Sequence, residues 1–377
     1  MPVLVKRTNG ATCCLPLERW PEADSAAWHA AIRAGCLFDE PGLGAHWAPS
    51  TKNGVRRGYG RWLLWLGKTV DRYAETPLED RVTRSAIESY VAVLRTTTAD
   101  TSVSIYVSFL HMALQAMAPQ GDWGWIKNIY MKIKRRAPIV RQKRHRIQSS
   151  KLLCQLGVDL MIESEQRDGL SPLEQAQQYR DGLIIALLAI RPLRTKNFVA
   201  LTLGETLVER SGRLWISFGP EATKSRAPIE QPFPEPLLPY LDHYIDHVRP
   251  YLMLRHTSSA RRADLQLPGN FLWISSNGGP LSKNAFFDLV SKRTAERFGT
   301  AINPHLFRDC LATTVATETP DAVSGTSQLL GHASLLTSER HYNHADGLKA
   351  SRLLQTHVLA LRRLQTARRT RSRSHTA

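Results

Sequence analysis

The second half of the chain holds a histidine, an arginine and a tyrosine at spacings that suit chemistry on an anion. In PHLFRDCLATT, His305 and Arg308 stand three residues apart, so a helix would project the imidazole and the guanidinium from one face. Taken alone, this pair is more typical of an ordinary capped surface helix than of a catalytic site. Further along, QLLGHASLLTSERHYNHA adds a Gly-His pair at His332 and a phenol at Tyr342.

Two more cations precede these residues. RPLRTKNFVALTL places Arg194 early in a predicted helix, in which Phe198, Leu201 and Leu203 are expected to be buried. RLWISF and APIEQPF predict two strands of a small hairpin, and Lys224 stands at its tip. The chain thus offers five cationic or potentially cationic groups and one phenol.

These sequence boxes, taken in order, resemble the tyrosine recombinase (phage integrase) family. The arginine box around Arg194 is followed by the hairpin lysine, the His-x-x-Arg box in HLFRD, the Leu-Gly-His box and the tyrosine, across roughly residues 150 to 345. Each box alone is a weak signal, whereas their joint occurrence in the family's order is specific. The resemblance implies a mainly α fold with a small antiparallel β-sheet: a two-domain, C-shaped DNA clamp with a helical core-binding bundle and a mixed α/β catalytic domain.

The resemblance further implies a site-specific recombinase that cleaves and rejoins DNA, as in the integration or excision of a mobile element. Tyr342 would attack the phosphodiester and form a 3′-phosphotyrosine, which keeps the bond energy for rejoining without ATP. Arg194 and Arg308 would donate paired hydrogen bonds to non-bridging phosphate oxygens, where a planar guanidinium fits better than a lysine. They would thereby stabilise the five-coordinate transition state.

Histidine and lysine side chains would complete this site. His305 and His332 would add donors to the phosphate oxygens, and His305 would also handle the tyrosine proton. Lys224 would act as the general acid on the departing 5′ oxygen. Because cationic side chains supply the charge stabilisation, we expect neither a metal ion nor another cofactor.

Three residues depart from the family pattern. Pro192 stands where a glycine is common, and Asn197 stands where an acidic residue often follows the first arginine. Asp309 takes a position that is frequently basic or polar. These changes would alter how the two arginines are supported, but none removes a group that does the chemistry.

The charge of the chain favours a polyanionic partner. Its 50 Lys and Arg residues outnumber 33 Asp and Glu, for a formal net charge of +17, which attracts double-stranded DNA and releases its counterions. RNA and an anionic membrane surface would explain the charge equally well, but neither explains the ordered boxes. The longest strongly apolar run, residues 182–190, is too short to span a bilayer, so we expect no membrane insertion.

The five cysteines are few, odd in number and scattered, which argues against a disulfide framework. The first residues, MPVLVKRTNG, lack the apolar core of a signal peptide. Both observations predict a cytoplasmic protein, and with the family resemblance a bacterial, nucleoid-associated one.

Shifts in periodicity and composition predict six segments along the chain. They are an N-terminal extension of unclear role (1–49), a helical core-binding domain (50–137), a basic interdomain linker (138–150), a catalytic domain (151–345), a C-terminal helix (346–366) and a basic disordered tail (367–377). The apolar face of the C-terminal helix needs a partner, either on its own domain or on a neighbouring subunit. The resemblance implies a homo-oligomer, a tetramer, on paired DNA sites.

Basic residues cluster in the predicted core-binding domain and linker. Such runs are as often plain solvated faces, but a basic linker between two basic domains suits a duplex clamp. The candidate DNA-binding residues are Lys52, Arg56, Arg57, Arg61, Lys132, Lys134, Arg135, Arg136, Arg141, Lys143, Arg144 and Arg146.

Two other functions use the same residue types. A type IB topoisomerase-like enzyme would relax supercoils without choosing sites, and a catalytically inactive DNA-binding or architectural protein would keep the fold alone. The Leu-Gly-His box and the terminal helix favour the recombinase over the topoisomerase.

Local patterns also predict where elements begin. Asp24 or Ser25 is expected to cap the first helix, Ser85 with Glu88 a later one, and Ser171 with Glu174 a third. In SVSIYVSFLHMALQAM, Ile105, Phe109, Met112 and Leu114 are expected to form the packed face, and FLWISS (residues 271–276) is expected to form a strand.

Overall fold

The chain forms two compact units, Met1–Arg141 (unit 1) and Gln142–Ala377 (unit 2). A computed structural model describes residues 13–138, 144–166, 168–223, 226–258 and 269–318. Across these residues the protein is mainly α-helical and carries one small antiparallel sheet, which confirms the predicted fold class. No helix in the described ranges is both long and apolar enough to cross a bilayer.

Unit 1 has helices and no β-strand within its described residues. Its helices are α1 (Glu22–Ile32), α2 (Pro49–Thr69), α3 (Leu78–Arg81), α4 (Arg84–Thr97), α5 (Asp100–Met117) and α6 (Gly124–Arg136).

The core of unit 1 is built from one apolar face of each long helix. On α2, the predicted stripe that includes Trp62 and Leu63 is buried. On α5, the buried positions are Val103, Val107, Leu110 and Leu114, which recur at helical spacing. Ile105 lies off this stripe and is about half exposed, so its predicted place on the packed face is wrong.

Residues before α2 share the same core. Trp20 and Trp28 are buried beside Tyr59 of α2. Asp24 accepts two hydrogen bonds from Arg81, at 2.6 and 2.8 Å, and one from the Tyr59 hydroxyl at 3.0 Å. The N-terminal stretch is therefore joined to the helical bundle through a buried ion pair.

Helix caps follow the expectations only in part. The first helix begins at Glu22, and Asp24 is engaged by Arg81, so neither Asp24 nor Ser25 caps it. The N-cap of α4 is Thr83, whose hydroxyl accepts from the Ala86 N–H, because the chain enters the helix before Ser85. The Ser171–Glu174 capping box is present and confirmed.

Unit 2 combines helices with the sheet. Its elements are α7 (Ser150–Gln166), α8 (Pro172–Ile190), α9 (Thr195–Val199), β1 (Leu207–Arg210), β2 (Arg213–Phe218), β3 (Ile229–Pro232), α10 (Leu238–His243), a π-helical turn (Tyr244–Val248), α11 (Arg249–Ser258), α12 (Lys283–Phe298) and α13 (Leu306–Glu318).

Helix α8 is the centre of unit 2 and is buried on every side along its C-terminal half. It crosses α7 so closely that a Cβ placed on Gly157 would stand 2.5 Å from the Gly182 carbonyl oxygen. Glycine at both positions lets the two backbones meet.

The sheet has the order β1-β2-β3 with antiparallel pairing throughout. Strands β2 and β3 form the predicted hairpin, with Trp215 opposite Pro232 and Phe218 opposite Ile229. Strand β1 was not predicted because its burial pattern, with one buried residue followed by exposed ones, is that of a short edge. The strand expected over residues 271–276 is wrong, since these residues form only isolated bridges to Thr202 and Pro280.

Candidate active site

The first arginine box is held by buried aromatic rings. Arg194 is the N-cap residue of α9 and is partly exposed. Phe198, on the same short helix, stacks on Trp273 with ring centres 5.5 Å apart, and the Trp273 indole N–H donates to the Phe198 carbonyl at 3.0 Å. These contacts fix α9 and, with it, the backbone from which Arg194 projects.

The second arginine lies against the first box. Arg308 stands in the first turn of α13 and is only 6% exposed. Its Nη1 donates to the Pro192 carbonyl oxygen at 2.7 Å. Pro192, which stands where a glycine is common in the family, therefore anchors the Arg308 guanidinium through its backbone carbonyl.

The charge of Arg194 acts on the Arg308 guanidinium. Burial and, to a smaller extent, the positive charge of Arg194 lower the pKa of Arg308 to about 10, and Asp309 opposes both effects. Arg308 thus remains a cation at neutral pH although its surroundings disfavour the charge. Two like charges brought together at a partly buried place are a typical arrangement for binding an anion.

His305 comes just before α13 and is exposed to solvent. Its carbonyl oxygen accepts from the Arg308 N–H at 3.3 Å, and the Asn303 side chain accepts from the Leu306 N–H at 3.2 Å. His305 and Arg308 are therefore at the same end of α13, one turn apart.

The loop before Lys224 is tied to the arginine box. The Thr223 hydroxyl oxygen lies 2.7 Å from the Ala227 carbonyl oxygen and 3.1 Å from that of Pro220. Asn197 of α9 donates from its amide to the Ala222 carbonyl oxygen at 3.5 Å. An ionised carboxylate has no proton to donate there, so asparagine suits this contact better than the acidic residue common in the family.

Several candidate site residues lie outside the described residues. They are Lys224, His332, Tyr342, Arg141 and Lys143, together with the side chain of Arg144 and the predicted C-terminal helix and tail. Their roles stay predictions.

The candidate DNA-binding residues of α2 differ in their surroundings. Lys52 is partly exposed, and Arg56 donates to the Asn53 side chain at 3.1 Å. Arg57 contacts the Cys13 sulfur at 3.7 Å, and Arg61 stacks over the Tyr106 ring at 4.2 Å. The three α2 arginines thus make local contacts besides any to phosphate.

On α6, Lys132, Lys134, Arg135 and Arg136 are all exposed. They occupy the last turns, where the helix dipole favours positive charge whether or not DNA is present. In unit 2, Arg146 donates from Nε to the Ala301 carbonyl oxygen at 2.8 Å, and from Nη2 to the same oxygen. That contact holds the Arg146 side chain against its own unit.

Within the part of the chain that the structure describes, no group of three or more His, Cys, Asp or Glu side chains is placed to hold a metal ion. The sequence predicted Arg194, His305 and Arg308 as site residues, and their roles stay predictions. Sequence reasoning missed Asn197 and Thr223 as loop anchors, because a contact to a backbone carbonyl leaves no mark on residue spacing.

Comparison with solved structures finds site-specific recombinases. The fold is similar to XerH bound to difH substrate in a pre-cleavage complex, at 14% identity and a TM-score of 0.47, covering 80% of this chain and 78% of that one. It is similar to XerH bound to palindromic difH substrate in a post-cleavage complex, at 13% identity and a TM-score of 0.49, covering 90% and 98%. It is also similar to XerA recombinase, at 15% identity and a TM-score of 0.36, covering 80% and 89%.

These proteins are tyrosine recombinases, the family that the sequence boxes resemble. At such identities the likeness concerns the fold alone. No family model matches the chain, and no curated protein matches it.

Proposed function

We propose that this chain is a tyrosine site-specific recombinase that cleaves and rejoins DNA through a 3′-phosphotyrosine at Tyr342. The observation that carries the proposal is the meeting of two arginines from distant sequence boxes. Arg308 is bound to the Pro192 carbonyl at 2.7 Å and lies near enough to Arg194 for the charge of Arg194 to act on it. A phosphodiester between these guanidiniums would offset their repulsion.

In the proposed reaction, the phenol oxygen of Tyr342 attacks phosphorus, and the bond from phosphorus to the 5′ oxygen breaks. Arg194 and Arg308 hold the non-bridging oxygens as negative charge builds. His305, exposed beside Arg308, and His332 add donors, and His305 takes up the tyrosine proton. Lys224 gives a proton to the 5′ oxygen, and the reverse steps with a new 5′-hydroxyl rejoin the strand.

We propose double-stranded DNA as the partner, and a homo-tetramer on paired sites as the active assembly. The charge of +17 supports a DNA partner. The biological use, by analogy with the family, is integration or excision of a mobile element or a related rearrangement.

The test is formation of a covalent adduct. Purified chain is incubated without metal on nicked suicide substrates built from the DNA that flanks its gene, and adducts resistant to denaturant are mapped by peptide mass spectrometry. We expect an adduct on Tyr342 in the wild type and none in Tyr342→Phe, with DNA binding kept.

Tyr251→Phe, which removes a partly exposed hydroxyl elsewhere on unit 2, is the matched control and should form the adduct normally. An adduct in Tyr342→Phe would show that the nucleophile is another residue. Binding to the correct flanking DNA without any adduct would favour an inactive DNA-binding protein. Relaxation of plasmids that lack the site would favour a topoisomerase.

A further inference from the structure

Two large apolar side chains stand next to each other in solvent on unit 1. Leu37 is 91% exposed and Phe38 is 92% exposed. Single exposed apolar residues are common on protein surfaces, but here two adjacent ones form the tip of one turn. We call residues 36–39 the Leu37 turn.

The Leu37 turn is held in shape by its own backbone. The Cys36 N–H donates to the Asp39 carbonyl oxygen at 3.1 Å, and the Asp39 N–H donates back to the Cys36 carbonyl at 3.3 Å. Arg33 also contacts the Asp39 carboxylate at 3.5 Å and the Glu40 carbonyl oxygen at 3.4 Å. A turn ordered before binding loses little entropy when a partner covers it.

A groove of about 320 Å³ lies between α4 and α6 of the same unit. Apolar side chains from both helices make up most of its lining, among them Ile87, Val91, Ile129 and Ile133. Lys132 and Arg136, one helical turn apart on α6, stand at its edge.

The charges of the turn and the groove are complementary. Asp39 and Glu40 follow directly after the apolar tip, and of these Asp39 is already paired with Arg33 at 3.5 Å, which leaves Glu40 to face the groove. At the groove edge, Arg95 is already paired with Asp100 at 2.9 Å. In the described part of the chain, Lys132 and Arg136 make no ion pair, and Glu88 is the one acidic residue that lines the groove. The apolar turn, followed by acidic Glu40, is therefore complementary to an apolar groove with Lys132 and Arg136 at its edge.

We infer that the Leu37 turn of one copy of this chain docks in the groove between α4 and α6 of a second copy. Phe38 would cover the apolar floor, and Glu40 would face Lys132 and Arg136. The exposure of Phe38 shows that the turn does not fill the groove of its own chain. The contact joins two different patches, so it is head-to-tail: the copy that gives its turn keeps a free groove, and the copy that gives its groove keeps a free turn.

This inference is independent of the reaction at Tyr342 and is measured without DNA. Lys132 and Arg136 are also candidate phosphate contacts, and omitting DNA separates the two roles. Sedimentation velocity of the full chain, in a concentration series up to about 1 mM, should show reversible association. The double variant Leu37→Ser, Phe38→Ser should associate at least about tenfold more weakly than the wild type.

Ile105→Ser, which changes an exposed apolar residue outside the groove, is the matched control and should associate like the wild type. All changed positions are exposed, and thermal unfolding checks that each variant is folded.

The decisive experiment mixes the turn variant with the groove variant. The turn variant keeps its groove, and Lys132→Glu, Arg136→Glu keeps its turn. Each variant alone should associate at least about tenfold more weakly than the wild type, while the mixture should form dimers of one copy each and nothing larger. A wild type that stays monomeric throughout the series overturns the inference. So does association that neither pair of changes weakens, or a mixture that remains monomeric.

Discussion

At the scale of single residues, Arg308 shows how the site is supported. Its guanidinium carries five N–H donors, and the one that binds the Pro192 carbonyl anchors one arm of the fork. A fork fixed in this way can meet two oxygens of one phosphate with little further ordering.

Replacing Arg308 should therefore remove stabilisation that exists mainly in the transition state. We expect Arg308→Ala to cleave a suicide substrate about 10² to 10³ times more slowly than the wild type. Removal of one hydrogen-bond donor to the transition state has an effect of this size in other enzymes. Arg308→Lys should also be slow, because an ammonium cannot reproduce the fork. Single-turnover cleavage at saturating protein measures both rates.

The control for Arg308 is Arg297→Ala, which removes an arginine of α12 that pairs with Asp159 at 3.2 Å. Its cleavage rate should match the wild type. A near-normal rate in folded Arg308→Ala would remove this arginine from the site.

Residue types and order were sufficient to propose Arg194, His305 and Arg308 as site residues, because each is a side chain with its own chemistry. The contact between Arg308 and Pro192 could not be predicted, since every residue has a carbonyl and no sequence pattern marks the one that will be used. The contact of Asn197 with the Ala222 carbonyl could not be predicted for the same reason.

At the scale of elements, the buried pair of Asp24 and Arg81 joins α1 to α3. The two carboxylate oxygens meet two guanidinium nitrogens, and both side chains are nearly inaccessible to solvent. Each charge has lost its hydration, so removal of one leaves the other uncompensated.

Asp24→Asn should lower the free energy of unfolding of unit 1 by about 3–5 kcal/mol, because Arg81 would stay buried without its counterion. Urea unfolding followed by tryptophan fluorescence measures the change. Glu75→Gln breaks the exposed Arg72–Glu75 pair and should change stability by less than about 1 kcal/mol. Equal effects of the two changes would contradict this account of α1.

Helix α5 contains a buried histidine that should make unit 1 sensitive to acid. Burial lowers the pKa of His111, and the charge of Lys127 lowers it further. The unfolded chain therefore takes up a proton more readily than the folded one. The stabilising contribution is complete above the ordinary histidine pKa of about 6.5 and is lost as the pH falls below it.

We expect His111→Leu to lose less thermal stability than the wild type between about pH 7 and about pH 5. Its control is His29→Gln, which alters an exposed histidine and should follow the wild type. If His111→Leu loses as much thermal stability on acidification as the wild type, other groups cause the effect.

Periodicity predicted most helices and the β2–β3 hairpin, because their apolar residues repeat at the spacing of the element. It failed where tertiary contacts decide. Asp24 is a residue type that often caps helices, but here it is the counterion of Arg81. Residues 271–276 have the residue types of a strand, but they form only isolated bridges and no strand pairing.

At the scale of the whole molecule, the excess of positive charge should set the salt dependence of DNA binding. Each phosphate contact releases counterions, so the logarithm of the binding constant falls with the logarithm of the salt concentration. We expect Lys134→Gln to reduce the magnitude of this slope by about 1. Fluorescence anisotropy with a labelled duplex measures it.

Arg72→Gln provides the comparison for that slope, because Arg72 is exposed and pairs with Glu75 at 2.7 Å. Its slope should equal that of the wild type. An unchanged slope in Lys134→Gln would identify the end of α6 as a solvated face, where the cations serve the helix dipole alone.

The crossing of α7 and α8 limits how the sequence of unit 2 can drift over evolutionary time. A Cβ on Gly157 would stand 2.5 Å from the Gly182 carbonyl oxygen, and a Cβ on Gly182 would stand 2.5 Å from that of Gly157. Neither position can accept even a methyl group while the helices keep their crossing, and no change at one makes room at the other. Exposed cations can be exchanged one at a time, whereas these two glycines can change only if the helix pair is rebuilt.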